Sequence, residues 1–466
     1  MAPARPNIIL IIAEQHRGDC LSIDGHPVLM TPNLDHIAGA GARFRRAYTS
    51  CPTCIAARRS ILTGQYPGTH GMVGYRDHVD WDDPPVTLPA ALSAAGYHTY
   101  HAGRDMHQTP RRRRLGFDHM VILEEYDRFL QDRAPDAGGR MGSGVMNNDY
   151  TAYPWPLADH LHHTNWTVDQ GIQYLRQRDP SCPFFLNLSF LAAHPPLQPP
   201  SFYFDRYVRT GVPDPVIGDW ASPPPGRGLG LDVGQQPVCL EGEKLLSARA
   251  GYYGLINHLD DQLRRLLNPY KGLVDPDNTI VVFVSDHGEM LGDHYRWHKI
   301  MPYEGAARIP FLIQAPSRLG ISPGTVLDDV VSLEDLMPTL LDMAGVEIPD
   351  SVQGRSLWPV LRGEAGPERA PLHIEHAPAY HCLTDGHDKY VWFAADGREQ
   401  LFDLGADPHE LRDLSTVPAC QERLAGWRAR MVAELADRPE GFSNGQQLIP
   451  GRPYTPLLAT PVACGR

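Results

Sequence analysis

Several apolar runs in this chain show no polar alternation. Residues 8–13 read Ile-Ile-Leu-Ile-Ile-Ala, and residues 279–284 read Thr-Ile-Val-Val-Phe-Val. A strand with one wet face alternates, whereas a continuous β-branched run belongs to a strand buried on both faces. Such strands need cover on both sides. Residues 183–190 and 309–313 are two more runs of this kind, and helix candidates lie around and between them at 33–40, 87–95, 167–177, 243–268 and 333–344. The pattern predicts an α/β fold, with a large mixed, mostly parallel sheet between helix layers. Thr31-Pro32-Asn33 reads as a helix entry, with Asn33 or Thr31 as cap.

Two stretches break the pattern. Residues 199–238 are rich in Pro and Gly, including Ser222-Pro223-Pro224-Pro225-Gly226, and read as a long surface excursion suited to a lid or substrate wall. After about residue 370 the texture changes. Lys389 to Ala394, then Asp396-Gly397, then Gln400 to Leu404 predict a β-hairpin, with a helix at about 417–436. We read 1–370 as the catalytic α/β domain and 371–466 as a smaller α+β subdomain. No internal repeat is visible.

Composition narrows the function. With 42% hydrophobic residues the chain can build a core, which excludes a disordered protein. A net charge of −13 disfavours general nucleic-acid or anionic-membrane binding, and the basic run Arg111 to Arg114 is short enough to be a solvated loop. No stretch reaches the ~18 apolar residues of a spanning helix. The run at 8–13 is too short for a signal-peptide core, and Glu14 follows it. Eight cysteines scattered through a chain this long suggest a reduced, cytoplasmic protein.

Ligands in open parallel sheets bind beyond the C-terminal ends of strands. There the chain offers Glu14 and Gln15, then Asp286 and His287, then His194. Carboxylates and imidazoles from separate strands suit a divalent cation. For Glu14 alone, a carboxylate that merely opens a polar loop explains as much. The Asp286-His287 pair is better explained by a metal. Cys51 and Cys54 form a C-x-x-C pair, but a zinc knuckle needs a second pair and the thioredoxin context is absent. A third reading takes Cys54 with Ala56, Arg58 and the following Leu62-Thr63-Gly64.

On that reading the chain resembles the formylglycine-dependent sulfatases of the alkaline-phosphatase-like superfamily, which include arylsulfatases and phosphonate monoester hydrolases. Cys54-Ile55-Ala56-Ala57-Arg58 is similar to their signature. Asp286-His287-Gly288-Glu289 with Lys299, Gln353-Gly354-Arg355, and Leu401-Phe402-Asp403-Leu404 resemble later blocks, so the likeness runs from about residue 5 to 415. The resemblance implies hydrolysis of sulfate monoesters. Cys54, oxidised to formylglycine by a formylglycine-generating enzyme, would supply the nucleophile as an aldehyde hydrate. One hydroxyl attacks sulfur and displaces the alcohol, and the other then loses a proton so that the carbon–oxygen bond to sulfate breaks and the aldehyde re-forms. The resemblance also implies one divalent cation on Glu14, Asp286, His287 and modified Cys54, with Gln15 as a further ligand. Calcium is the expected ion, with magnesium or manganese as alternatives. Arg58 would fix the hydrate, Lys299 bind the sulfate, and His194 serve the leaving oxygen.

The sequence departs from the family pattern at two places. Glu14 stands where Asp is usual. In Gly103-Arg104-Asp105-Met106-His107, Arg104 takes the place of the usual substrate-binding lysine, and the family histidine is His107, after an inserted residue. Gln15 keeps open a phosphonate monoester or phosphodiester hydrolase. The departures also admit a catalytically silent binding protein on the same fold. The expected partner is a small anionic ester, with no nucleic acid and no membrane, and a homo-oligomer is left open.

Overall fold

β1 (Asn7–Glu14) is buried along its whole length. Ile9, Ile11 and Ala13 join one hydrophobic cluster and Ile8, Leu10 and Ile12 another. That two-sided burial is what the unbroken apolar run demands. The computed structural model describes residues 5–81, 84–224, 237–268, 272–366 and 369–459. Pro225 and Gly226 of the surface excursion therefore lie outside the described residues.

The other strands of the main sheet are β2 (Ala42–Tyr48), β3 (His98–Gly103), β4 (His119–Ile122), β5 (Phe184–Ala193), β6 (Thr279–Ser285), β7 (Arg308–Gln314) and β8 (Thr325–Ser332). Their order is β4-β3-β5-β1-β6-β7-β2-β8. β1 pairs in parallel with β5 and β6, so the runs at 8–13 and 279–284 are neighbours. β7 is antiparallel to both β6 and β2. The apolar run at 309–313 could not reveal this, because a buried strand looks the same in either direction.

One face is covered by the helices Pro32–Ala40, His163–Gln177 and Gly242–Leu267. The other is covered by Cys54–Thr63, Leu88–Ala94 and Leu336–Met343. Thr31 precedes its helix, but neither Thr31 nor Asn33 caps it with a side chain. The Asp260 carboxylate does so from Gly242–Leu267, accepting from the backbone N–H of Asn33 and Leu34. The Pro-rich excursion contains the helix Ser201–Thr210, which its composition concealed.

β9 (Leu372–His376), β10 (Tyr380–Thr384), β11 (Asp388–Phe393) and β12 (Glu399–Asp403) form a second, antiparallel sheet. β11 and β12 are the expected hairpin. The helix Gln421–Glu434 packs Leu424, Trp427 and Met431 against Tyr390 and Trp392. The other face of this sheet, through Ile374, Tyr380 and Phe402, meets Tyr48, Met290 and Tyr303. Glu375 N–H also donates to Ser50 C=O at 2.9 Å, which fastens the small sheet to the segment before Cys54.

Candidate active site

Cys54 opens the helix Cys54–Thr63, and Arg58 follows one turn later. The helix is buried at every position, so Arg58 must find partners inside the protein. Its Nε donates to Asp286 Oδ2 at 3.1 Å and one terminal nitrogen donates to Ser189 Oγ at 2.8 Å. The other terminal nitrogen lies 3.8 Å from Glu14 Oε2. Arg58 thereby joins the end of β1, the middle of β5 and the residue after β6.

Around the thiol the predicted ligands converge. Cys54 Sγ lies 3.2 Å from His287 Nε2. His287 Nδ1 faces the Gly288 carbonyl at 2.9 Å, so its N–H sits there and the Nε2 lone pair points at Cys54. Burial holds the His287 pKa below the usual value, which keeps the imidazole neutral as a metal ligand requires. Asp286 Oδ1 accepts the N–H of Gln15 and of His287 at 3.1 and 2.9 Å. The donor atoms of Glu14, Cys54 and His107 lie within 4.8 Å of one another, as do those of Cys54, Asp286 and His287.

Glu14 supplies the test of whether a cation fits. It is fully buried, and its Oε1 has no hydrogen-bond partner. Burial opposes its charge, but Arg104, His194, the nearby His107 and Arg58 outweigh this and hold its pKa well below the usual carboxylate range. An ionised oxygen left bare in the interior is costly unless a cation meets it. The residues present fit a divalent ion.

Lys299 and His194 face one another across the mouth. Lys299 Nζ lies 2.9 Å from His194 Nε2 and 3.0 Å from Gln15 Oε1. His194 Nδ1 faces the Pro195 carbonyl at 2.7 Å, so Nε2 accepts from the ammonium. Burial and then Lys299 hold the His194 pKa well below the usual value. Gln15 has a left-handed φ of 68°, and its amide nitrogen donates to Glu289, which leaves its carbonyl for Lys299.

Arg104 and His107 both reach the site. Arg104 donates from Nε to Glu14 Oε2 at 3.1 Å, and a terminal nitrogen lies 2.8 Å from His107 Nε2. His107 takes a left-handed φ of 55° there. A cavity of about 210 Å³ opens over Arg104, His107 and His194 and is walled by Tyr75, Arg111 and Arg140. Asp105, Ser189 and Glu289 were missed as participants. Ser189 and Asn187 are polar residues inside the apolar run of β5, and that was the available signal.

Burial pushes the Cys54 thiol up to about 12, against the pull of Lys299. An unmodified thiol here is protonated at neutral pH and a poor nucleophile. With all its parts assembled, the site has the content of a hydrolase, and a silent binding protein has no need of it.

Comparison with known proteins agrees. The Sulfatase family profile matches residues 6–346, and the profile "N-sulphoglucosamine sulphohydrolase, C-terminal" matches 292–437. An arylsulfatase of Clostridium perfringens is 40% identical over 97% of this chain and 99% of its own length. A choline-sulfatase of Rhizobium meliloti is 30% identical over 90% of this chain and 84% of its own. The crystal structure of a phosphonate monoester hydrolase of Agrobacterium radiobacter superposes with a TM-score of 0.78 at 26% identity, covering 93% of this chain and 96% of that one. The chain belongs to the sulfatase family, whose members hydrolyse sulfate esters.

Proposed function

We propose that this protein hydrolyses small anionic sulfate monoesters, with Cys54 converted to formylglycine and one divalent cation beside it. The observation that carries the proposal is the buried convergence of Cys54, Arg58, Glu14, Asp286 and His287, with Lys299 and His194 opposite. Glu14, Asp286, His287 and the modified residue 54 would hold the cation, with Gln15 beside them. When bound, the cation lowers the pKa of the nucleophilic hydroxyl and draws charge from the sulfate oxygens. The hydrated aldehyde offers two hydroxyls on one carbon, one to attack sulfur and one to release sulfate. Calcium suits the carboxylates, and manganese better tolerates the imidazole.

The chain's own residues do the rest. Arg58, fixed by Asp286 and Ser189, sets a positive charge under residue 54. Lys299 holds its proton between Gln15 and His194, at the place where a leaving oxygen gains charge. A protein at −13 repels anions at long range, so this local positive field must draw the substrate in. The cavity above carries both signs, Arg104, Arg111 and Arg140 against Asp77, Glu124 and Asp127, so the field is centred on Arg58 and Lys299. Conversion of Cys54 calls for a formylglycine-generating enzyme as maturation partner. A reducing cytoplasm accords with the free thiols of the seven described cysteines.

A second reading, phosphonate monoester hydrolysis by the same machinery, is favoured by Gln15 and by the likeness to the Agrobacterium enzyme. The test is turnover of 4-nitrophenyl sulfate and of a phenylphosphonate monoester by the parent and by Cys54→Ser. Faster turnover of the sulfate, lost in Cys54→Ser, supports the proposal. Faster turnover of the phosphonate would move the assignment to the second reading. Equal sulfatase rates in parent and Cys54→Ser would overturn the formylglycine mechanism.

A further inference from the structure

Two side chains of the site, Glu14 and Arg104, touch each other. Glu14 stands at the end of β1, where the register against β5 shifts between Ile12 and Glu14. Arg104 follows the last residue of β3. Its N–H donates to the Ser189 carbonyl at 2.7 Å. Gly103 makes this approach possible, because a Cβ there would lie 2.0 Å from the same carbonyl oxygen. Both backbones are therefore fixed by the sheet, and only the side chains adjust.

The Arg104 guanidinium is committed on three sides. Nε donates to Glu14 Oε2 at 3.1 Å, one terminal nitrogen to Asp105 Oδ2 at 3.2 Å, and the other to His107 Nε2 at 2.8 Å. A guanidinium only donates, so His107 Nε2 is held as an acceptor. Asp105 closes the ring by accepting the backbone N–H of His107 on Oδ1 at 3.0 Å. Glu14 Oε2 thus faces Arg104, with Arg58 3.8 Å away, while Oε1 has His107 Nε2 4.0 Å away and makes no hydrogen bond. The carboxylate is oriented, with one oxygen bound and the other presented.

We propose that Arg104 and Glu14 act as one unit, in which Arg104 is a positioning residue that selects the Glu14 oxygen offered to the cation. Residue 104 then sets cation affinity without being a ligand. A lysine would place one point charge near Oε2 but could not also hold Asp105 and His107 with a fork. The longer reach of Glu over Asp gives the carboxylate an extra torsion, and the guanidinium removes that freedom. The proposal rests on the cation reading above.

The test is cation binding without turnover. Chelator-stripped protein is titrated with manganese and with calcium by calorimetry, as parent, Arg104→Lys, Glu14→Asp and the double variant. Losing an outer partner of a ligand weakens metal binding by about 10- to 100-fold, and that is the expectation for Arg104→Lys. In the Glu14→Asp background the same substitution should cost less than about threefold, because no orientation remains to be lost. A merely structural Arg104 would lower the melting midpoint but leave the two substitutions independent. If Arg104→Lys fails to fold, Arg104→Gln is titrated instead with the same expectation. Binding within about twofold of the parent, or effects that multiply in the double variant, would overturn the proposal. A parent that takes up no divalent cation would overturn it together with the cation reading, so the two failures are distinguishable.

Discussion

Among the described residues, imidazole and carboxylate cluster in two regions, and their donor atoms alone do not tell them apart. One is at the C-terminal ends of β1 and β6. The other lies in the small sheet, where His373, Glu375 and His381 also bring donor atoms within 4.8 Å of one another. It borders a cavity of about 440 Å³, roomier than the one over Arg104. Yet Glu375 is saturated. Arg438 donates to both of its oxygens at 2.9 and 2.7 Å, and Tyr454 adds a bond to Oε2 at 2.8 Å. His381 is stacked on Tyr454 and Trp392. Glu14 instead keeps a buried oxygen bare. Ligand types at ligand spacing do not distinguish a site from a brace. What distinguishes them is whether the interior has already met the charge.

The comparison breaks most visibly at Cys54. Cys54→Ser or Cys54→Ala should lower turnover of an aryl sulfate by on the order of 10⁴- to 10⁶-fold, as loss of a nucleophile does, with the circular dichroism spectrum unchanged. A matched pair sharpens it further. Asp286→Ala should abolish cation uptake measured by elemental analysis, and an unchanged stoichiometry would place the cation elsewhere. Arg438→Ala should leave uptake intact and cost about 3–5 kcal/mol of stability, read from the urea midpoint, because it strands the buried Glu375 charge. Loss of cation in Arg438→Ala would make the second cluster a metal site after all. Lys299→Ala should lower kcat/KM by about 10² to 10³ through lost charge stabilisation, with little change in cation affinity.

Where the site was legible in the sequence, the reason was the strands. An unbroken apolar run ends abruptly, and the first polar residues after it fall beyond the C-terminal end of the strand, which located Glu14, Asp286, His287 and His194. Lys299, Arg104 and His107 carry no such mark, since their segments have no periodicity, and they came from the resemblance alone. The relay from Glu289 through Gln15 to Lys299 was hidden because it joins residues 284 apart at its last step. The cap from Asp260 to Asn33, 227 residues away, was hidden for the same reason. The direction of β7 was illegible on different grounds, because a strand buried on both faces carries no directional pattern.

A smaller effect touches both regions alike. Burial holds His101, beside Arg58, and His376, beside Glu375, each at about 4. In the unfolded chain both titrate near the ordinary 6.5, so between about 6.5 and 4 the unfolded state holds protons that the native state refuses. Their contribution is whole above about 6.5 and falls as the pH drops below it, by about 1.4 kcal/mol per pH unit for each. The urea midpoint should therefore decline from pH 7 to pH 5. Protonation of His101 or His376 near 6.5 in the folded protein, read by NMR titration of the imidazoles, would show that they are not held neutral. Glu375, whose pKa is lowered by Arg438 against the effect of burial, loses its contribution only further into acid.

The central claim is that residue 54 acts as an aldehyde hydrate and not as a thiol. Mass spectrometry of the proteolytic peptide carrying Cys54, on preparations made with and without a co-expressed formylglycine-generating enzyme, tests it most directly when paired with turnover of 4-nitrophenyl sulfate. The account predicts the mass of an aldehyde in place of the thiol, with turnover proportional to the converted fraction. Full turnover in a preparation whose Cys54 is entirely thiol would contradict it.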